Sequence, residues 1–445
     1  MKKLSFNQWA LWFALLMTLI AVGTMIVGYN NVAGISLILM CIALSYGVKV
    51  FQPTKGLSFT MWILASVCIA MFFPQHFTVW FKNSGNPFVL ESLVTPLLII
   101  IMFGMGAQMS LNDFAGVMKR PGTVAIGVIG RYTIGPLLAF ALVAIFGNMI
   151  PVEDSAARGL IIGGIFLVAV LPCGLASNVM NMLANANLAL GVTIGATTTL
   201  LAPFAVPLLM QLFARDYVPD LNPLGMMFNI FKTVIFPIFA GFIFNLFNQN
   251  KESTKTKIIQ ISSFFLIMVL ACLLGLKAFD NFNYFKQITT FLSIFFILPA
   301  VVGYLLYFKF KGDQTLVKKI LGKLSQVGIF TIVLVITAAG QAYLITAGGI
   351  LVTLVILHNV LGYGLGYSIG WIFRLNEIDR RTFAFEIGMP NAGLGSGLAA
   401  AFGSAAIGTI GLASAIYGPV MNIFGSTLAS IWRGNPPKDK KGKTE

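Results

Sequence analysis

The chain has 445 residues, of which 58% are hydrophobic and only 10% are charged, and its mean hydropathy is +0.89. Soluble globular domains need far more charged surface than this. A net charge of +15 would suit a nucleic-acid binder, but the basic residues lie in short links between apolar blocks and form no basic stripe. The composition therefore excludes a string of soluble domains, gives no support for a nucleic-acid partner, and predicts an all-α polytopic protein in the lipid bilayer.

The apolar residues come in blocks of about 20, the length at which a helix crosses about 30 Å of hydrocarbon. The blocks lack the alternation that is typical of strands in a membrane barrel. We predict fourteen spans, at 8–28, 33–51, 58–73, 91–109, 122–146, 158–183, 188–213, 223–247, 259–277, 287–308, 324–342, 346–373, 382–402 and 406–432.

The distribution of charge predicts the orientation. With the N-terminus in the cytoplasm, most of the 29 Lys and Arg residues lie on the inner side of the membrane, as positive-inside topology requires. The first apolar stretch is too long for a signal peptide and lacks a cleavage site, so it is predicted to be an uncleaved span. We therefore expect a multi-pass protein of the cell (inner) membrane with both termini cytoplasmic.

Two segments place helix-breaking and polar residues in the middle of apolar spans. Segment 171–187 contains Pro172 and Gly174 among clustered amides, and segment 386–397 contains Pro390 among small residues. Unwound backbone at membrane depth is tolerated only where it lines a cavity or is buried in protein. A pair of interrupted spans in corresponding halves indicates a transporter's binding site. The alternative is that small residues only permit close helix packing.

Glu386 is predicted to be the one acidic residue well inside a span; the other thirteen of the fourteen fall in links, at span ends or in the tail. A carboxylate at that depth needs a cationic partner, a bound cation or a proton. Arg131 is the first candidate partner and Lys232 the second, unless Lys232 extends to the membrane surface. A structural ion pair without a transport role is the alternative.

Polar side chains near the interruptions suggest a site for a hard cation. Ser177 and Asn178 supply oxygen ligands. His358 and Asn359 favour interhelical hydrogen bonds, and so does Asn422, which is also a candidate substrate contact. Threonines of the next span could add oxygens, although hydroxyls usually bond to their own helix; these are Thr193, Thr197, Thr198 and Thr199. The sequence contains no zinc-ligand spacing, phosphate-binding loop or serine triad, so no enzyme is predicted.

Four motifs, in this order along the chain, resemble those of the bile acid:sodium symporter family. They are Ile101-Met102-Phe103-Gly104-Met105-Gly106, Ala176-Ser177-Asn178-Val179-Met180, Leu357-His358-Asn359 with Gly362-Tyr363, and Phe385-Glu386-Ile387-Gly388-Met389 with Asn391. The resemblance covers about residues 57–247 and 318–433. Several independent motifs in register make it specific.

The resemblance implies an inverted 5+5 helix repeat with two crossing broken helices, where the solute binds by alternating access. It places a first repeat at 57–213 and a second repeat at 222–433. The chain departs from this pattern by two extra TM helices at 1–56 and by two inserted helices at about 259–308, and it ends in a predicted cytoplasmic tail at 434–445. The four extra spans bring the total to about 14 and are expected to contact lipid or other subunits.

The resemblance also implies the solute, a small organic anion that is bile-acid-like, pantoate-like or another carboxylate. Backbone amides of the broken helices near Gly174 and Asn391 are expected to face its carboxylate. No cofactor is expected; the resemblance allows for a sodium ion, but the residues at the family's sodium sites argue against it.

The family's first sodium site is only partly retained. In the family a Ser-Asn pair, two hydroxyls on the next helix and the Glu hold this ion. Ser177, Asn178 and Glu386 match those positions, whereas the hydroxyl positions read Gly191 and Gly195.

The second sodium site departs further. The family uses a Gln on the third core helix, the Glu, neighbouring carbonyls and a Gln after the Met. Those glutamines read Arg131 and Pro390, while Ile387 and Met389 keep the carbonyl positions. Because an Arg does not lose its proton, we predict that Arg131 takes the place of the second sodium beside Glu386, so that sodium dependence is weakened or absent.

Two other functions stay open from the sequence. Arsenite transporters of a related fold carry a Pro-Cys pair in the matching broken helix, as Pro172-Cys173 does here, although a single membrane Cys is more often inert packing. A receptor that senses a solute is the other alternative, but the sequence shows no soluble signalling domain. The four motifs favour the organic-anion transporter.

Overall fold

The computed structural model describes residues 5–51, 57–76, 93–109, 120–218, 221–247, 314–402 and 404–437. Within these ranges the regular structure is helical and no β-sheet is present. Eight described helices are long and apolar enough to cross a membrane. The prediction of an all-α, multi-pass membrane protein is therefore confirmed, while the predicted spans at 259–277 and 287–308 lie outside the described residues.

The helices are numbered in chain order. They are α1 Phe6–Val27, α2 Asn30–Gly47, α3 Leu57–Phe72, α4 Val94–Gly106, α5 Pro121–Phe146, α6 Ser155–Val170, α7 Leu175–Leu183, α8 Leu188–Phe213, α9 Pro223–Ile230, α10 Phe236–Phe247, α11 Gln314–Ala339, α12 Gln341–Ile372, α13 Glu377–Gly388, α14 Ala392–Leu398 and α15 Ser404–Gly434.

Most predicted spans match one helix, with ends displaced by up to five residues, except that α11 begins ten residues before the span predicted at 324–342. Three other spans are interrupted. The predicted span 158–183 is two helices, α6 and α7, and 382–402 contains α14 and the end of α13. The predicted span 223–247 is divided by a π-helical segment, Phe231–Ile235. The two interruptions at 171–174 and 389–391 coincide with the breaks predicted from Pro and Gly.

The first two helices form a hairpin that packs on α3. Ser5 and Gln8 cap the start of α1 reciprocally, each side chain accepting a hydrogen bond from the other residue's backbone N–H. Gly28 ends α1 in the left-handed region with φ of +86°. A Cβ at Gly34 would lie 2.6 Å from Phe72, so glycine lets α2 approach α3 closely.

The chain divides into two compact units. The first comprises Met1–Leu98, Asn112–Ile230 and Ile329–Glu445 and contains the candidate site residues except Lys232; the second comprises Ile99–Leu111 and Phe231–Gly328. Within each unit, helices pack against one another.

In the second unit, the C-terminal part of α4 packs against α10. The rings of Phe103 and Phe244 meet edge to face with centroids 5.5 Å apart. The Asn245 side chain donates a hydrogen bond of 2.8 Å to the backbone oxygen of Met109.

In the first unit, α5, α8 and α13 enclose a buried apolar cluster that includes Val128, Ile194, Phe383 and Cys173. Cys173 of this cluster lies in the first break. Its packing against α5, α8 and α13 therefore fixes the position of that break. Elsewhere α6 packs closely along α15, where a side chain at Gly164 would overlap the backbone of α15.

Candidate functional site

The two helix breaks lie against each other in antiparallel pairing. The backbone N–H of Gly174 donates to Met389 O, and the N–H of Asn391 donates to Pro172 O, both at 2.9 Å. A Cβ at position 174 would lie 2.9 Å from Pro390 O, so this close approach requires glycine. Each extended segment therefore satisfies backbone groups of the other at a depth where water is scarce.

Arg131 is fully buried in α5 and binds the carbonyls at the ends of both broken helices. Its Nε donates to Leu171 O at 2.8 Å, its Nη1 donates to Ile387 O at 2.7 Å, and its Nη2 donates to Ala169 O at 3.2 Å and Val168 O at 3.3 Å. Terminal carbonyls of a helix lack intrahelical partners and carry the negative end of its dipole. Arg131 thus caps the C-termini of α6 and α13 with one permanent positive charge.

Side chains from α12 and α15 bind the last carbonyl of α13. Asn359 Nδ2 donates to Gly388 O at 2.8 Å, and the Tyr417 hydroxyl lies 3.4 Å from the same oxygen. His358 lies 3.0 Å from both the Tyr417 hydroxyl and Gly135 O. The interhelical hydrogen bonds predicted for His358 and Asn359 are confirmed.

Glu386 is fully buried in the last turn of α13. Its Oε1 accepts a hydrogen bond of 2.8 Å from Asn181 Nδ2, while its Oε2 has no hydrogen-bond partner among the described residues. The direct ion pair with Arg131 considered from the sequence is not formed, because the guanidinium donors are directed at backbone carbonyls. Lys232, the other candidate partner, is an exposed residue of the π-helical segment.

The short helix α7 brings further oxygens to Glu386. The side-chain oxygens of Asn178 and Asn181 are buried and, within the described chain, make no hydrogen bond. The hydroxyl of Ser177 donates to Gly174 O at 2.7 Å, and this side chain lies beside the Glu386 carboxylate. An unsatisfied carboxylate oxygen and the unsatisfied oxygen of Asn181 therefore belong to residues in direct contact, and Asn178 carries a further unsatisfied amide oxygen on the same short helix; such oxygens are the donor chemistry of a hard cation site.

Gly191 and Gly195 on α8 face the Glu386 carboxylate. A Cβ at Gly191 would overlap Asn181 Nδ2 and lie 2.9 Å from Glu386 Oε1, and a Cβ at Gly195 would lie 3.7 Å from Glu386 Oε2. Sequence reasoning singled out both glycines but missed Asn181. Asn181 could have been identified from its position one helical turn after Ser177, because that spacing places both residues on the same face of α7.

The carbonyl and hydroxyl positions expected to help bind sodium are already engaged. Ile387 O accepts from Arg131, and Met389 O accepts from Gly174. As the sequence favoured, four threonine hydroxyls bond to their own helix, α8; they are Thr193, Thr197, Thr198 and Thr199.

The predicted substrate contacts fall into two groups. Gly174 and Asn391 lie at the starts of α7 and α14, where the Asn391 side chain accepts from Leu394 N at 3.1 Å. Asn422 is remote from these starts in sequence, and its Nδ2 donates to Gly418 O of its own helix at 2.9 Å. For Asn422 the expected interhelical bond is thus wrong, because a nearer acceptor lies one turn before it.

Comparison with known proteins relates this chain to membrane transporters. A sequence profile described as the Sodium Bile acid symporter family matches residues 95–283. The chain is 31% identical over 395 residues to the "Uncharacterized sodium-dependent transporter YocS" of Bacillus subtilis (strain 168), covering 89% of this chain and 97% of that protein.

More distant relatives come from plants and mammals. The chain is 27% identical to the rice "Probable sodium/metabolite cotransporter BASS2, chloroplastic", over 86% of this chain and 72% of the relative. It is 29% identical to the rabbit "Ileal sodium/bile acid cotransporter", over 42% of this chain and 52% of the relative. The chain belongs to the sodium bile acid symporter family, a family of membrane transporters and not of enzymes.

Proposed function

We propose that the chain is a secondary active transporter that carries a small organic anion together with one sodium ion held at Glu386. In this proposal Arg131 permanently replaces a second cation. The observation that carries it is a buried carboxylate with one oxygen that has no partner in the described ranges. A buried guanidinium is close to it, and the hydrogen bonds that this group makes to described residues all go to backbone carbonyls. A carboxylate in that state requires a mobile positive charge.

The relatives support sodium as that charge, because the names of the Bacillus, rice and rabbit proteins all include sodium. The two paired breaks support the arrangement proposed for transport, an inverted 5+5 repeat with two crossing broken helices at the bilayer midplane. Both termini are proposed to be cytoplasmic, as positive-inside topology favours.

The charges explain how symport follows from this site. Arg131 and Glu386 together are neutral, sodium adds one positive charge, and a monoanionic solute adds one negative charge. The buried site is therefore neutral when it is empty and when it is fully loaded, but charged with either ligand alone. Since a net charge in low dielectric is costly, the neutral forms are the ones that change between inward- and outward-facing states.

The solute class follows from the helix starts. The N-terminus of α7 presents backbone N–H groups near Gly174, where the dipole favours negative charge. Asn391 lies beside it across the paired breaks. We propose that a carboxylate of a bile-acid-like, pantoate-like or other small organic anion binds there.

The purified chain in proteoliposomes tests this function. Vesicles preloaded with unlabelled taurocholate, pantoate or pyruvate should accumulate the labelled form of at least one of them by counterflow in sodium. Uptake should depend hyperbolically on sodium, because one ion is coupled. Steep sigmoidal dependence contradicts the single-sodium site, and lack of counterflow with all three probes contradicts the solute class.

A further inference from the structure

Asn181 stands out among the residues around Glu386 because it is fully buried and only half satisfied. Its Nδ2 donates to Glu386 Oε1 at 2.8 Å, whereas its Oδ1 has no hydrogen-bond partner in the described part of the chain. A buried amide oxygen without a partner is unfavourable. Its presence beside an unpartnered carboxylate oxygen indicates that a ligand completes both.

The facing helix, α8, has no side chain at the position where the Asn181 amide lies. Any side chain at Gly191 would overlap Asn181 Nδ2, since even a Cβ built there does so. The absence of a side chain at position 191 is therefore a condition for the contact between Asn181 and Glu386. Asn181 on α7, Gly191 on α8 and Glu386 on α13 therefore depend on one another for their contacts.

We infer that Asn181 is a ligand of the coupling cation, an inference that rests on the sodium site proposed above. Without the cation, its N–H group stabilises Glu386. When sodium binds between the two side chains, rotation of the amide about its last torsion presents Oδ1 to the ion in place of Nδ2. Such a rotation is easy because that torsion is broad and roughly two-fold and the amide keeps nearly the same shape.

This assignment adds Asn181 to Glu386 and to Asn178, the amide that matches the family's sodium ligand, so that sodium would have three side-chain oxygens. Their combined charge of −1 matches a monovalent cation. The amide N–H thus binds the carboxylate when no ion is present, and the ion binds it otherwise. The carboxylate therefore has a partner both without and with sodium.

Sodium binding to the purified protein tests the inference independently of transport. The midpoint of thermal unfolding is measured in detergent while sodium replaces choline at constant ionic strength. Asn181→Ala should weaken sodium binding, so that the half-saturating sodium concentration rises at least 10-fold. Thr197→Val is the matched control, because that hydroxyl bonds to Thr193 O of its own helix; it should leave the half-saturation within 2-fold.

Two variants at Gly191 make the result decisive even if Asn181→Ala folds poorly. Gly191→Ala keeps Asn181 but displaces its amide from Glu386, so it should weaken sodium binding in the same direction. In the double variant Asn181→Ala/Gly191→Ser, the serine hydroxyl can enter the vacated space and should restore at least part of the affinity.

Wild-type sodium affinity in both Asn181→Ala and Gly191→Ala would overturn the assignment of Asn181 while leaving the proposed function intact. A wild-type protein that sodium does not stabilise would overturn the sodium site itself, and the assignment with it.

Discussion

Two buried acidic residues on the same helix have opposite surroundings. Asp379 and Glu386 are both fully buried in α13, seven positions apart. Asp379 accepts from Arg120 Nη2 at 2.7 Å and from Asn187 Nδ2 at 2.8 Å, so both of its oxygens are bonded. Among the residues that the structure describes, Glu386 has one amide partner, Asn181, and one oxygen without a hydrogen bond.

This difference distinguishes a carboxylate that is bonded at both oxygens from the one that we propose binds the coupling ion. Asp379 is satisfied by side chains that join α13 to the start of α5 and to the turn before α8, so it has no capacity for a ligand. Glu386 is left incomplete although a guanidinium is buried nearby, because Arg131 is bound to the carbonyls of α6 and α13. Burial alone is shared by both residues, so our proposal for Glu386 rests on its unsatisfied oxygen as well.

The largest effect is expected for Glu386→Gln, which keeps the shape of the side chain and removes its charge. Sodium-driven uptake in proteoliposomes should fall at least 100-fold, since an amide cannot neutralise the ion. The unfolding midpoint without sodium should change little. Uptake above one tenth of the wild-type rate would refute the role of this carboxylate.

Arg131→Gln should alter the number of coupled ions. Removal of the guanidinium frees Ile387 O and a positive-charge position beside Glu386, so uptake should become sigmoidal in sodium, with a Hill coefficient rising from about 1 towards about 2. Stability should also fall, because the loss of a buried charged donor costs about 3–5 kcal/mol.

The conservative change Arg131→Lys is the control for that experiment. It keeps one positive charge and should therefore keep the hyperbolic sodium dependence, although with poorer capping of the two helices. Sigmoidal uptake in both variants would show that geometry, and not charge, sets the number of ions.

Asp379→Asn should affect stability without affecting coupling. The Arg120 side chain is 44% exposed, so solvent screens part of the interaction, and the expected loss is about 1–2 kcal/mol. Thermal unfolding would register this loss, while the half-saturating sodium concentration should stay within 2-fold. A large loss of sodium affinity would abolish the distinction between the two acids.

Cys173→Ser should have the smallest effect. The thiol is buried and donates to Glu386 O at 3.1 Å, a bond that serine can also make. Organic-anion uptake should stay within about 3-fold, because one neutral hydrogen bond of about 1 kcal/mol is replaced by another. Arsenite tolerance of cells that express the chain should not change; loss of tolerance would favour the metalloid transporter.

The sequence predicted the features that depend on local composition. Long apolar blocks predicted the spans. Pro172, Gly174 and Pro390 predicted both breaks because they occur together with polar residues in the middle of apolar spans; a proline alone is not sufficient, since Pro136 lies inside α5. Glu386 could be singled out as a candidate site residue because a single carboxylate in an apolar block is unusual.

Features that depend on contacts between distant segments were not predictable. Asp379 looked like a residue of a link, although α13 begins before it and Arg120 lies 259 positions away. Arg131 was paired with Glu386 on charge alone, whereas the structure directs it to carbonyls freed by the breaks. Asn181 was one amide among several until the fold placed it between Gly191 and Glu386.

The ratio of sodium to solute tests the central claim most directly. With a monoanionic probe that the reconstituted chain carries, uptake is measured against imposed sodium gradients and against potassium diffusion potentials. One sodium ion should move with each anion, and an imposed membrane potential should leave the equilibrium accumulation unchanged, because the loaded site is neutral. Two sodium ions per anion, with accumulation driven by a negative interior, would contradict the substitution of Arg131 for a cation.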